Sequence, residues 1–174
     1  VSPPDPETTV RLATAGDVPA IAALAGQLYA LHHTWDPQRF WDLGGEDEAQ
    51  RAGRERFFAS QLAAADSELL LAECAGAIVG YAYVAYKSHD YEGLLERAAW
   101  LHDVYVVPAA RGGDAAKRLF EAACERARAA ACPLLLLTVA EPNARGRAFF
   151  ARHGARVTMR EMVVELTART LPPC

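Results

Sequence analysis

Lysine is nearly missing from this chain: it occurs only at positions 87 and 117, so arginine carries almost all of the positive charge. The net charge is -4 and the isoelectric point is near 5.7, which leaves no global positive field to attract nucleic acid. No nucleic-acid partner is expected. Neither lysine sits in a phosphate-binding loop, and the full dinucleotide glycine pattern is missing, which argues against a generic nucleotide-binding protein. Cysteine is sparse: Cys74, Cys124, Cys132 and Cys174 form no CxxC pair, and reduced, mostly buried thiols are the simplest account. His32, His33, Asp36 and His102 have no recognised ligand spacing, so no metal is expected. No apolar run approaches the ~20 residues that cross a bilayer, so no membrane association is expected. The opening Val1-Ser2-Pro3-Pro4-Asp5-Pro6 lacks a basic region and an apolar stretch, so no secretion signal is expected and cytoplasm is the default.

What is present is an ordinary globular composition. The 174 residues are 52% hydrophobic and 23% charged, enough for one sizeable core without metal or disulfide staples. Residues 1–9 read as a disordered tail, 10–167 as a single domain and 168–174 as a C-terminal tail. Val10 to Ala13 reads as a strand. Asp17 and Pro19 open a helix with Ile21, Leu24, Leu28 and Leu31 at helical spacing, ending near His32. His33 to Gly45 reads as an aromatic loop, and Glu46 to Ala65 as a second helix burying Phe57, Phe58 and Leu62.

Glu68 to Cys74 and Ala77 to Tyr86 read as a hairpin around Ala75-Gly76. Tyr81, Tyr83 and Ala85 share one face of its second strand. Lys87 to Arg97 reads as a polar connection. Ala99 to Val107 is the next strand, with Leu101, Asp103 and Tyr105 on one face and His102, Val104 and Val106 on the other. Asp114 to Ala130 is the clearest helix. Its stripe of Ala116, Leu119, Phe120, Ala123, Ala127 and Ala130 faces the core. Pro133 to Val139 reads as a strand covered on both faces. Asn143 to His153 is a short helix stopped by Gly154, and Arg156 to Leu166 reads as a long final strand. The economical packing is mixed α/β: a mixed, mostly antiparallel central sheet with helices on both faces.

Between strand and long helix lies Val106-Val107-Pro108-Ala109-Ala110-Arg111-Gly112-Gly113. Free backbone N–H groups at such a helix start bind anions, and glycines allow close approach. Arg111 adds a positive charge at the mouth. The same residues also suit a plain tight turn.

Val107-Pro108-x-x-Arg111-Gly112, followed by a helix with Leu119, resembles the acetyl-CoA signature of the GCN5-related N-acetyltransferase (GNAT) superfamily. The opening Arg11 to Ile21, the strand Leu101 to Val106 and the helix Asn143 to Gly154 fit the same pattern. The resemblance thus covers residues 10 to 166. It implies an acyl-CoA N-acyltransferase fold, acetyl-CoA as cofactor, and a primary amine of a small molecule or peptide as acceptor. It also implies cofactor contacts from Val104, Tyr105, Val106, Val107, Arg111, Gly112, Gly113, Asp114, Ala115, Ala116, Asn143 and Phe150. Within that pattern, backbone N–H groups near Val104 to Val106 polarise the thioester carbonyl.

Two positions depart from it. Residue 114 is Asp where the signature has Gly; either its carboxylate turns to solvent and caps the helix, or cofactor binding is weakened, and the first is expected. Phe150 stands where many relatives carry a tyrosine acid. Asn143 either holds the pantetheine arm or caps its own helix.

Acyl transfer to an amine needs the ammonium deprotonated, which for a lysine-like pKa near 10.4 costs about 4.6 kcal/mol at pH 7. Asp103 is the candidate base, acting through water, with His102 as the alternative; Tyr105 is a candidate acid. The resemblance places the acceptor pocket at the first helix and its loop, where Tyr29, His32, His33, Trp35 and Phe40 would face substrate. Tyr81 and Tyr83 carry the same reading, and all seven could instead be packing residues. A catalytically weak acyl-CoA sensor or structural protein of the same fold is the alternative function. A homodimer through a sheet edge is compatible with the sequence.

Overall fold

A computed structural model describes residues 7–45, 47–90 and 94–166. The chain divides into two compact units, Val1–Thr138 and Val139–Cys174. The first contains β1 (Thr8–Leu12), α1 (Val18–Trp35), α2 (Glu48–Ala63), β2 (Ser67–Cys74), β3 (Ala77–Asp90), β4 (Leu95–Val106), α3 (Ala115–Ala129) and β5 (Leu135–Leu137). The second contains α4 (Ala144–Arg152). β1 starts inside the stretch expected as a tail; residues 1–6 and the tail 168–174 lie outside the described residues.

The sheet has the order β1-β2-β3-β4-β5. Its first three pairings are antiparallel, and β4 with β5 is parallel. One face carries α1 and α2. Ile21, Leu24, Ala25, Leu28 and Phe58 pack there with Leu69, Leu71, Tyr81, Tyr83 and Tyr105. The other face carries α3, whose buried stripe is Ala115, Leu119, Phe120, Ala123 and Ala127. Gly80 makes that second contact close: a Cβ there would lie 3.2 Å from Leu119 Cδ1 and 2.5 Å from the carbonyl oxygen of Tyr105.

α1 runs one turn further than expected, to Trp35. Nothing breaks the helix before Pro37, and the Asp36 N–H still donates to the His32 carbonyl. His33 and Trp35 are therefore helical. The loop after α1 is held from α2. The buried Arg54 guanidinium donates to the carbonyls of Ala22, Leu43 and Gly45. Gly26 leaves room for it, since a Cβ there would come within 3.0 Å of Arg54 Nη2.

The polar connection expected at Lys87 to Arg97 is instead the far end of the β3–β4 hairpin, with Lys87 opposite Ala98 and Ser88 opposite Arg97. The ladder satisfies the backbone while the polar side chains stay in water. Phe58 is fully buried, but Phe57 is 43% exposed because it lies at the rim of the α2 contact. β5 is short and half-buried rather than covered on both faces, and Leu134 lies exposed before it. Arg156 to Leu166 forms no strand: it has no ladder partner among the described residues, and each of its residues is exposed. A segment rich in β-branched and apolar residues makes a strand only where a neighbouring edge accepts its hydrogen bonds.

Candidate active site

The register of β3 on β4 builds the site. Tyr83 pairs with Asp103, but the next residue, Val84, pairs with Leu101. His102 is thus an extra residue, a β-bulge. Strict alternation would send His102 to the face opposite Asp103. The bulge overturns that expectation: the His102 ring stacks on Tyr83 at 4.9 Å, on the face that carries Asp103. Leu101 is the residue displaced to the α3 face, opposite the buried Val84.

Asp103 lies between α1 and the sheet. Its Oδ2 accepts from the Tyr81 hydroxyl at 2.8 Å and the Tyr29 hydroxyl at 3.2 Å. No described residue donates to its other oxygen. Burial raises its pKa above the usual carboxylate value, and the two tyrosine bonds oppose that shift. Burial, with the Asp103 charge next in size, raises both tyrosines in turn. Tyr105 points its hydroxyl at Gln27 Oε1, 3.1 Å away, and Tyr83 donates to Gln61 Oε1 at 2.7 Å. Gln27 and Gln61 carry no pattern in the sequence, and only the packing of helix on sheet reveals them.

Beyond Asp103 the sheet opens. β4 pairs with β5 only from Ala99 to Leu101. The Val107 N–H donates to the Val79 carbonyl on β3. Alternation along an antiparallel ladder then turns the backbone groups of Val104 and Val106 away from β3, toward the side that β5 has left. Their N–H and C=O groups face a slot between the two strands.

The glycine turn stands at the end of this slot. Pro108–Ala110 is a 3-10 turn, Gly112 has φ +100, and α3 begins at Ala115. A Cβ at Gly112 would meet nothing within 4 Å, so its freedom serves conformation rather than space. Ala115 and Ala116 open the helix with small side chains.

Asp114 does not cap α3: no side-chain bond to the helix start forms. Its carboxylate instead bonds Thr8 and Arg118, and these two hold its pKa below the usual range. The charge that seemed awkward beside a phosphate is therefore met by a guanidinium one turn along the helix. A backbone cradle with a paired acid suits a pyrophosphate. Arg111 stays exposed but folds back on β4. Its Nε donates to the Val106 carbonyl at 3.0 Å, and its guanidinium lies over the Tyr105 ring at 5.4 Å.

The end of α1 and the loop after it form an aromatic group. His32 stacks on Phe40 at 4.9 Å and contacts Trp35 at 5.1 Å, and His33 Nδ1 lies 2.8 Å from the Phe40 carbonyl oxygen. Burial lowers the His32 pKa, and burial followed by the Lys87 charge lowers that of His102.

Asn143 and Phe150 belong to the second unit. Asn143 caps α4, its Oδ1 accepting from the Gly146 N–H at 2.8 Å. Phe150 is buried and meets Phe149 edge-on at 5.2 Å. Among the described residues no group of three or more His, Cys, Asp or Glu could hold a metal ion, and no helix is long and apolar enough to cross a membrane.

A mixed sheet that parts between β4 and β5, with a glycine turn and helix start at the parting, has the architecture of the acyl-CoA N-acyltransferases. Residues 28–155 match the acetyltransferase (GNAT) family, and the chain belongs to it. No curated protein matches the chain. Solved structures share the fold. A mutant BH1408 protein from Bacillus halodurans is 22% identical, with a TM-score of 0.77 over 91% of this chain and 99% of that one. A predicted acetyltransferase from Clostridium acetobutylicum, solved with acetyl-CoA, is 18% identical, with a TM-score of 0.68 over 92% and 97%. AAC(6')-Iy with a bisubstrate analogue built on CoA is 16% identical, with a TM-score of 0.72 over 93% and 99%.

Proposed function

We propose that this protein moves the acetyl group of acetyl-CoA to a primary amine by direct attack, with Asp103 as the base, acting through water. The observation that carries the reading is the adjacency along β4. The half-buried Asp103 carboxylate immediately precedes Val104, where the backbone turns toward the open slot. A proton acceptor and a row of backbone donors meet at one step of one strand.

The residues divide the work as follows. The N–H groups of the Gly112–Ala116 turn and helix start hold the pyrophosphate, helped by the α3 dipole. Acetyl-CoA, when bound, supplies a thioester that amines attack. The N–H groups of Val104 and Val106 donate to the thioester carbonyl; a well-placed donor of this kind is worth about 3 kcal/mol. The other oxygen of Asp103, Oδ1, receives the ammonium proton through a water. Its raised pKa brings it toward that of the amine, which narrows the uphill transfer. The leaving thiolate, with a pKa near 8.5, departs without a dedicated acid. Tyr105, whose hydroxyl is held by Gln27, serves to position β4.

The test is release of free thiol from acetyl-CoA in the presence of a panel of amines. Asp103→Asn is expected to lower kcat about 10²-fold with little change in the affinity for CoA. Binding of CoA without thiol release for any amine would favour a sensor over an enzyme.

A further inference from the structure

Both tyrosine bonds to the Asp103 carboxylate fall on one oxygen, and this asymmetry gives Tyr81 a part in the chemistry; the inference rests on the transfer reading above. Tyr81 donates to Oδ2 at 2.8 Å, and Tyr29 donates to it at 3.2 Å. The two donors are not equivalent. Tyr81 lies on β3, two residues from Tyr83, which stands opposite Asp103 in the ladder. It is a diagonal neighbour of Asp103 on one face of one sheet, so strand pairing itself sets the distance between the two side chains. Tyr29 reaches the same oxygen from a separate element, α1.

The Tyr81 ring is also confined. It is 0% exposed, as is Phe58 of α2, and the Phe58 ring meets it edge-on at 5.8 Å and 85°. The same Phe58 ring meets Tyr83 at 6.4 Å and 85°. Tyr83 is anchored in turn by its bond to Gln61, one turn further along α2. A phenol packed this closely has one place for its hydroxyl. An aspartate carboxylate, by contrast, turns in a broad well unless its oxygens are held. A short bond from a fixed donor to Oδ2 stops that rotation. Oδ1 is then the oxygen presented to the proton.

The titratable groups around Asp103 are Tyr29 from α1, Tyr81 and Tyr83 from β3, and His102 and Tyr105 from β4, with the Arg54 charge of α2 acting on Tyr29. Burial, followed by the Asp103 charge, raises the pKa of Tyr29, Tyr81 and Tyr83, so all three remain neutral donors at working pH. We propose that Tyr81 is a positioning residue for the transfer: it fixes the rotation of the Asp103 carboxylate and keeps Oδ1 for the amine's proton, and Phe58 acts through it by holding the ring.

The experiment follows thiol release from acetyl-CoA across pH, with 2-phenylethylamine, n-butylamine and spermidine as acceptors. It compares the parent protein with Tyr81→Phe, Phe58→Leu and Asp103→Asn. A donor that only tunes the charge of Asp103 moves the acid limb of the kcat profile and leaves the plateau above it in place. A positioning residue lowers the plateau. Tyr81→Phe should lower it about tenfold, the lower end of what a hydrogen bond to a charged group is worth. The limb should also move to higher pH, because the ionised carboxylate has lost a donor. The amine KM should stay within about twofold. The calorimetric affinity for CoA, which reports an intact fold, should be unchanged. Phe58→Leu keeps the hydroxyl and loosens the ring. It should lower the plateau about threefold with the limb in place, the mark of a small misplacement, and it carries the test if Tyr81→Phe does not fold. A plateau unchanged in either variant, with Asp103→Asn slow, overturns the assignment and leaves the transfer reading standing. Full rate in Asp103→Asn, or no thiol release with any of the three amines, overturns the transfer reading itself.

Discussion

Tyr29 on α1 donates its hydroxyl to Asp103 on β4 across 3.2 Å, joining the helix to the strand at the residue assigned as base. The bond favours the ionised carboxylate, and burial opposes it. Tyr29→Phe removes a donor and leaves the burial, so the Asp103 pKa should rise further. A base works when ionised; the acid limb of the kcat–pH profile should therefore move to higher pH. The stability cost should be about 1 kcal/mol by thermal or denaturant unfolding. An acid limb that stays in place in Tyr29→Phe would remove Asp103 from the role of base.

The same group has a thermodynamic sign. A carboxyl whose folded pKa is raised adds stability at low pH, and that contribution is lost as pH rises through the folded pKa. Asp103→Asn should therefore compare better with the parent protein at pH 7 than at pH 4 when unfolding is followed at both.

Asp114 and Arg118 bear on cofactor affinity. Because Arg118 already meets the Asp114 charge, Asp114→Gly should change the CoA dissociation constant by less than about threefold, the scale of one exposed charge pair. Arg118→Met leaves the carboxylate without its guanidinium beside the cradle and should weaken CoA binding by about three- to tenfold. Calorimetry on the two variants checks the pair. Tighter binding by a large factor in Asp114→Gly would show that the acid does oppose the pyrophosphate.

Arg54 is the support of the loop after α1. Its guanidinium is buried and satisfied by the carbonyls of Ala22, Leu43 and Gly45, which hold the loop after α1 against the helix. Arg54→Met leaves those carbonyls without a donor and should cost about 1–3 kcal/mol. Hydrogen exchange should rise in residues 41–45 and hardly at all in β2 and β3.

Much of this protein is legible along the chain because the signals are local. The stripe from Leu119 to Ala127 follows helical period, the turn at Ala75-Gly76 follows its own backbone chemistry, and Val107 to Gly112 resembles a family signature. Each depends on residues within a few positions of one another. The family itself was within reach for that reason, and so was Asp103 as a candidate.

What the sequence could not decide are relations between distant segments. An unbroken alternation assigns His102 to the wrong face, because the extra residue shows only in the pairing of Tyr83 with Asp103 and Val84 with Leu101. Asp114 bonds Thr8, a partner from the far end of the chain that no local pattern announces, as well as Arg118 one helical turn along. Arg156 to Leu166 reads as a strand, yet it forms no ladder within the described chain. Pattern determines which face of a segment prefers to be dry. Register, and the partner that each polar group finds, are decided only when the segments meet, because hydrogen bonds and charges reach a few ångströms in space regardless of separation along the chain.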